Sequence, residues 1–194
     1  MSFRLRKLDD EHYVEFFETE TAQGKGSDLG NWLSGKAREY QAKGRAAVWI
    51  LGSADDPADV AGYFTLSAYQ LSGDSLSRKL REGINPEQSH PAHLLGKFAL
   101  SSEKQGQGLG RRLMVEVFRI YRAAAELSGS RFLCLHVRDP ELEKYYHDSF
   151  GFITIHKPPT GQLTLMVVST EAVADFLERA GISTERNNSF DIVK

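Results

Sequence analysis

Apolar and polar positions recur along this chain with two different periods, and the places where the period changes divide it into elements. In residues 27–43, Leu29, Trp32, Leu33, Ala37 and Tyr40 share one face at helical spacing, and Gly44 follows as a stop. Residues 45–52, "RAAVWILG", predict a strand. Residues 60–68, "VAGYFTLSA", alternate and predict its hairpin partner, across a turn at 53–59 that holds Pro57. Ser72, Gly73 and Asp74 open a short helix, and residues 83–93, with Pro86 and Pro91, read as a loop. Residues 94–100 predict a strand. A helix follows from about 108 to 127, where Leu109, Leu113, Val117 and Tyr121 repeat every four with Met114 and Phe118 beside them. Residues 131–137 predict a buried strand. Asp139 is placed to cap the next helix, over 140–148, with Pro140 in its first turn. Strands at 151–155 and 162–168 and a helix at 170–181 complete the chain.

A strand–helix–strand passage requires a crossover, which implies a locally parallel strand pair. The fold class expected is therefore mixed α/β, a central sheet flanked by helices. The whole chain, 1–194, is expected to form one domain, because no linker, repeat or low-complexity tract divides it. At 41% hydrophobic and 26% charged, the composition provides for a sizeable core and excludes disordered, collagenous and disulfide-rich classes. No stretch approaches the roughly 20 apolar residues that span a bilayer. The N-terminus, "MSFRLRKLDDEHY", lacks an apolar segment, so a secretory signal is not expected. The single cysteine, Cys134, lies in an apolar run and reads as a packing residue; a free buried thiol fits a reducing, cytoplasmic setting.

Three alternate glycines, "QGQGLG" at 105–110, stand at the mouth of the long helix. Glycines there let an anion approach the main chain, and a helix N-terminus supplies unpaired N–H groups and a positive dipole end. Arg111 and Arg112 in the first turn are unfavourable for the helix alone, and an anionic ligand accounts for them. The Walker loop ends in Gly-Lys-Ser/Thr, whereas Gly110 is followed by Arg-Arg-Leu. The Rossmann fingerprint has other glycine spacing and comes early in its fold.

With the preceding strand, the pattern Gln/Arg-x-x-Gly-x-Gly/Ala resembles the acyl-CoA loop of the GNAT acetyltransferases, and Gln105, Gly108 and Gly110 fill it. The later "KYYHDSFGF" at 144–152 resembles the same family, whose members carry a tyrosine shortly before a Gly-Phe strand start. The stretches "LLGKFALSSEKQGQGLGRRLM", "LHVRDPELEKYYHDSFGF" and "LTLMV", with "LGNWLSGKA", "AVWIL" and "VAGYFTLSA" upstream, are similar to the GNAT toxins of bacterial toxin–antitoxin modules. That resemblance implies an N-acetyltransferase that uses acetyl-CoA as co-substrate, without a metal. Its acceptor would be the amino group of aminoacyl-tRNA, and translation would stop. A small ribbon-helix-helix antitoxin is the partner implied; a homodimer is left open, and no membrane is involved.

The resemblance also assigns residues. The main chain of Phe98, Ala99 and Leu100 would pair with the pantetheine arm. The amides of Gln105, Gly106, Gln107, Gly108, Leu109, Gly110 and Arg111 would hold the pyrophosphate, with side-chain charge from Arg111 or Arg112. Tyr146 would be the general acid that protonates the departing thiolate. The step from Tyr146 to Gly151 is one residue longer than the family's common form, so Tyr145 is the alternative. The general base is not legible: water, Glu103 and Asp139 are candidates, and His136 reads as a half-buried strand residue. The remaining histidines show no metal-ligand spacing. For RNA phosphates the candidates are Lys36, Arg38, Lys43, Arg45, Arg78, Lys79, Arg81 and Lys97, against a formal net charge of −2. Two other functions stay open: a GNAT enzyme acting on a small-molecule or protein amine, and a non-catalytic acyl-CoA-binding module.

Overall fold

The computed structural model describes residues 3–21, 26–53, 56, 59–82, 85–156 and 162–182. Its strands are β1 (Phe3–Lys7), β2 (Ala47–Ser53), β3 (Val60–Ser72), β4 (Ser89–Leu100), β5 (Phe132–Val137), β6 (Ile153–His156) and β7 (Thr164–Ser169). Its helices are α1 (Asp28–Ala42), α2 (Arg78–Arg81), α3 (Leu109–Ser128), α4 (Pro140–Phe150) and α5 (Thr170–Arg179). The strands form one mixed sheet in the order β1-β2-β3-β4-β5-β7-β6. Neighbours are antiparallel except β4 and β5, the pair that the α3 crossover makes parallel.

The two faces of the sheet carry separate apolar layers. Leu113, Met114, Val117, Phe118 and Tyr121 of α3 are fully buried, and they pack with Leu95, Leu133, Leu135 and Met166 of the sheet and with Val173 and Leu177 of α5. Phe118 is the aromatic centre of this layer, with ring centroids 6.2 Å from Phe150, 6.2 Å from Phe152 and 5.2 Å from Phe176. On the other face, Leu33 and Ala37 of α1 cover Val48, Ile50 and Tyr63. Beside them Leu71, Leu76, Phe132, Cys134 and Val167 form a smaller cluster under the turn that leads into α2.

The helix ends follow local chemistry. Ser27 caps α1 by accepting from Leu29 N–H, and Asp139 Oδ1 accepts from Glu141 N–H at 2.8 Å, as expected of a cap. Three elements differ most from the sequence reading, one of them β3, which runs on to Ser72 where its end is expected at 68. β1 is absent from that reading: Phe3 and Leu5 alternate with charged residues on a five-residue edge strand, a signal too short to stand out. β4 begins at Ser89, so Pro91 lies in a strand and not in a loop. The Pro91 carbonyl accepts from Arg131 N–H, so the missing proline donor faces the side on which β5 has not yet started. Parts of the turn at 53–59 and of the loop at 83–93, and residues 183–194, fall outside the described residues.

Candidate active site and its cleft

The site begins where the parallel pair parts. β4 and β5 pair only over Ala92–Leu95 and Phe132–Leu135. The β3–β4 register shifts between Thr65 and Leu66, and the Thr65 hydroxyl, Oγ1, accepts from Lys97 N–H at 2.9 Å. Beyond this bulge β4 runs on to Leu100 without its parallel neighbour, while His136 and Val137 of β5 stay paired with β7. A cleft opens between the two strands.

Alternation along the antiparallel ladder decides which main-chain groups face that cleft. Ser101 N–H donates to Ala61 O at 2.9 Å, so Ser101 and Ala99 point their polar groups at β3, and those of Phe98 and Leu100 point away from it. The Leu100 carbonyl already accepts from the Thr19 hydroxyl at 2.6 Å and from Gln105 Nε2 at 3.3 Å. Of the three residues assigned to the pantetheine arm, Ala99 is therefore committed to the ladder. Phe98 N–H and C=O and Leu100 N–H remain for a ligand.

The glycine loop follows. A 3₁₀ turn at Ser102–Lys104 leads into it, and the Gln105 amide donates within that turn, to Ser102 O at 3.4 Å. The Gln105 side chain bridges to Glu20 O at 3.2 Å and to Thr19 Oγ1 at 3.4 Å, which ties the segment before α1 to the end of β4. Gly106 and Gly108 have φ of +71° and +74°, the left-handed region in which L side chains are strained, and an added Cβ at either position would meet nothing within 4 Å. Gly108 is the N-cap of α3 and makes no side-chain cap. The amides of residues 108–111 thus have no partner within the helix, and the dipole end lies bare beside the cleft.

Arg111 and Arg112 are exposed. The Arg111 guanidinium lies over the Phe176 ring, 5.6 Å from its centroid. It borders an open pocket of about 480 Å³ lined also by His147, Phe150 and Arg179. Asp148 lines the same hollow and pairs with His147 at 2.9 Å, so Arg111 and Arg179 are the cations it offers to a second anionic group.

α4 brings both tyrosines to this region in different surroundings. Tyr146 is buried, in the same apolar layer as Leu95, Leu135 and Val137, with its ring 5.8 Å from Phe152. Burial pushes its phenol well above the ordinary value, and among the described residues its hydroxyl has no hydrogen-bond partner. Tyr145 is 41% exposed, and its hydroxyl lies 3.9 Å from where a Cβ on Gly110 would stand, against the first turn of α3. Burial raises the Tyr145 phenol too, with Arg111 working against the rise. The two phenols therefore differ in setting: Tyr146 is inside the core, and Tyr145 is at the loop.

The base candidates are poorly placed for chemistry. Asp139 is a helix cap, and Glu103 is an exposed residue of the 3₁₀ turn. His136 stands on β5 with part of its surface open to solvent and its ring edge-on to Tyr69 at 6.0 Å, and partial burial still lowers its pKa. The thiol of Cys134 is buried and pushed up to about 12, as a packing residue requires. Among the described residues no group of His, Cys, Asp and Glu is arranged to hold a metal. No described helix is long and apolar enough to cross a membrane.

Several of the basic residues considered for RNA are committed elsewhere. Arg38 donates to Asp9 O at 2.6 Å and to His12 O at 2.8 Å, bracing residues 9–12 against α1. Lys43 pairs with Glu39 at 2.6 Å, and Arg45 lies over Tyr40. Arg78, Lys79 and Arg81 sit on the short α2. Lys36 and Lys97 come together beside Trp32, on the α1 face of the cleft.

No family model matches the sequence. Among solved structures, the chain is similar to a Tyr-to-Phe mutant of KacT, at a TM-score of 0.77 and 21% identity over 91% of this chain and 99% of that one. It is similar to AtaT complexed with acetyl-methionyl-tRNAfMet, at 0.75 and 20% over 91% and 99%. It is also similar to AtaTR bound with acetyl-CoA, at 0.72 and 19% over 90% and 98%. Likeness at these identities speaks for architecture, and on it, with the split β4–β5 pair and the glycine loop at α3, the chain has the GNAT fold.

Proposed function

We propose that this protein is an acetyl-CoA-dependent N-acetyltransferase that acts as the toxin of a toxin–antitoxin module, modifying the amino group of aminoacyl-tRNA. The observation that carries the reading is the cleft itself. An extended amide chain fits the free edge of Phe98 and Leu100, and a pyrophosphate fits the bare amides at Gly108, in that order along the strand. The hollow beside Arg111 and Arg179 then receives the nucleotide end of the same ligand.

The transfer needs little from the protein beyond alignment. The amine nitrogen attacks the thioester carbon, and the tetrahedral intermediate expels sulfur as a thiolate. Tyr146, protonated near neutral pH as an ordinary phenol is, donates its proton to that sulfur. The positive charge on the new C–N nitrogen lowers the opposing phenol pKa while it persists, and a proton from that nitrogen restores the phenol. Tyr145 is the alternative acid, placed nearer the loop.

The choice of acceptor gains support from the poor set of bases. An α-amino group has a pKa of about 7.7–8.0 against about 10.4 for lysine, so a sizeable fraction is neutral near pH 7.5 without a dedicated base. A site whose carboxylates are a helix cap and an exposed loop residue suits an α-amine better than a lysine. AtaT in complex with acetyl-methionyl-tRNAfMet, and AtaT bound to the C-terminus of the antitoxin AtaR, lend the tRNA and antitoxin assignments their support. Expression in bacteria tests the reading: growth arrest that Tyr146→Phe relieves supports a toxin. Unimpaired growth, with acetylation of polyamines or lysine peptides by the purified protein, favours the small-molecule or protein-amine alternative.

A further inference from the structure

On the α1 face, next to the cleft, an open groove of about 340 Å³ is lined by Asp28, Leu29, Asn31, Trp32, Lys36 and Lys97. Three features make it unlike ordinary surface. First, the Trp32 indole is held rigidly: it stacks on Tyr63 at 6.0 Å with 10° between the planes, and Tyr40 meets it edge-on at 5.4 Å. The Tyr63 hydroxyl in turn donates to Leu29 O at 2.8 Å. Second, a cation lies over the ring: the Lys97 ammonium is 5.7 Å from its centroid, on a long side chain that can swing aside. Third, neither Lys97 nor Lys36 forms an ion pair among the described residues, although acids outnumber bases in the chain, 26 to 24. A fixed aromatic face flanked by two unpaired cations, with Asp28 at the start of α1 the one carboxylate on the groove's lining, is the chemistry that takes a nucleobase and its phosphates.

The position in the fold fits the same occupant. Lys97 directly precedes Phe98 on β4, at the end of the open strand edge away from the glycine loop. With the pyrophosphate at the loop, the acyl end of the co-substrate lies toward Lys97. An amino group linked by one ester to a terminal ribose therefore brings its own base to within a nucleotide's reach of that point.

We infer that this groove docks the 3′-terminal nucleotides of the aminoacyl-tRNA: a base displaces the Lys97 ammonium and stacks on Trp32, and Lys36 and Lys97 take the adjoining phosphates. This rests on the proposed function for the identity of the acceptor, and it adds the residues that select a nucleic acid over a free amine.

Titration of Trp32 fluorescence tests it. In a Trp49→Phe background, where Trp32 is the one tryptophan, a ribonucleotide oligomer ending in CCA is added at several salt concentrations. Saturable quenching is expected. Lys36→Glu and Lys97→Ala should each weaken binding about tenfold and flatten the log–log salt slope by about 0.7 for each phosphate no longer neutralised. Trp32→Ala should raise KM for charged tRNA roughly tenfold or more while leaving kcat, and KM for an amino-acid amide, unchanged. Acetyl-CoA affinity serves as the folding control for every variant, and Lys36→Glu, on an exposed residue, remains informative if Trp32→Ala is unstable. Unchanged Trp32 emission in a protein that acetylates charged tRNA overturns the groove and leaves the function standing. Lysine-dependent quenching in a protein that does not acetylate charged tRNA overturns the function and leaves a nucleotide site.

Discussion

Replacing Gly108 with alanine separates what the glycine loop does for the fold from what it does for the ligand. Gly108 has φ +74° and ψ 0°, and its missing side chain would project into open space. The penalty in the free protein is therefore backbone strain alone, roughly 1–2 kcal/mol for an L residue in the left-handed region. In a chain of 194 residues each kcal/mol lowers Tm by about 2–4 °C. Gly44, at φ +65° with equally open surroundings at the end of α1, provides a matched control, and Gly44→Ala should show the same loss. The ligand tells the two apart. Relaxing the strain at residue 108 rotates the peptide that carries the Leu109 N–H and draws it off the phosphate. Loss of one hydrogen bond to a charged group is about 1.5–3 kcal/mol, or roughly 10- to 150-fold in Kd. Calorimetric titration with acetyl-CoA should show that loss in Gly108→Ala and none in Gly44→Ala. Equal affinities in the two variants would refute the role given to the loop.

Tyr146→Phe should lower kcat by about 10²–10⁴ with acetyl-CoA affinity retained, and Tyr145→Phe by less than tenfold; steady-state kinetics showing the reverse order move the acid to Tyr145. Cys134, pushed up to about 12 by burial, should resist a thiol-reactive disulfide in the folded protein near pH 8 and react only as fast as the chain unfolds; rapid labelling contradicts its burial. Burial lowers the folded pKa of His93 below 6.5, and Nδ1 of the same ring is buried without a partner. Above pH 6.5 both states hold the ring neutral. Below it the unfolded chain takes up a proton that the folded state resists, so stability falls from pH 6.5 downward and levels off below the folded pKa. Urea midpoints should drop between about pH 7 and pH 5, and His93→Leu should flatten that drop. Phe118→Ala, which empties the centre of the Phe150, Phe152 and Phe176 cluster, should destabilise by about 3–5 kcal/mol in urea unfolding.

The half of the chain from β4 onward is the more legible in sequence. Leu109, Leu113, Val117 and Tyr121 announce α3 because a buried helix face must repeat at 3.6 residues, and all four are buried as expected. The glycines of the loop stand out because two of them hold positive φ, where other residues are strained. β1 is hidden by its charges and brevity, and the first residues of β4 by Pro91, whose missing donor matters only where a neighbouring strand is present. The split of β4 from β5 comes just past a bulge at Gly96, the residue passed over between Leu95 and Lys97 opposite Thr65, and its one local trace is that isolated glycine inside a strand run. Charge is the poorest guide. Arg38 and Lys43 are among the RNA candidates in the sequence, yet one braces the N-terminal segment and the other pairs along α1. Lys97 lies 61 residues beyond Lys36, and only the packing of α1 on the sheet brings the two to one groove.

The central claim, acetyl transfer from acetyl-CoA to the amino group of aminoacyl-tRNA, is tested most directly by mass spectrometry of charged tRNA incubated with the protein and acetyl-CoA. A mass gain of one acetyl group is expected on the aminoacyl-adenosine released by nuclease, absent without acetyl-CoA and strongly reduced with Tyr146→Phe. Charged tRNA recovered unmodified, from protein that binds acetyl-CoA and acetylates a simple amine, would contradict it.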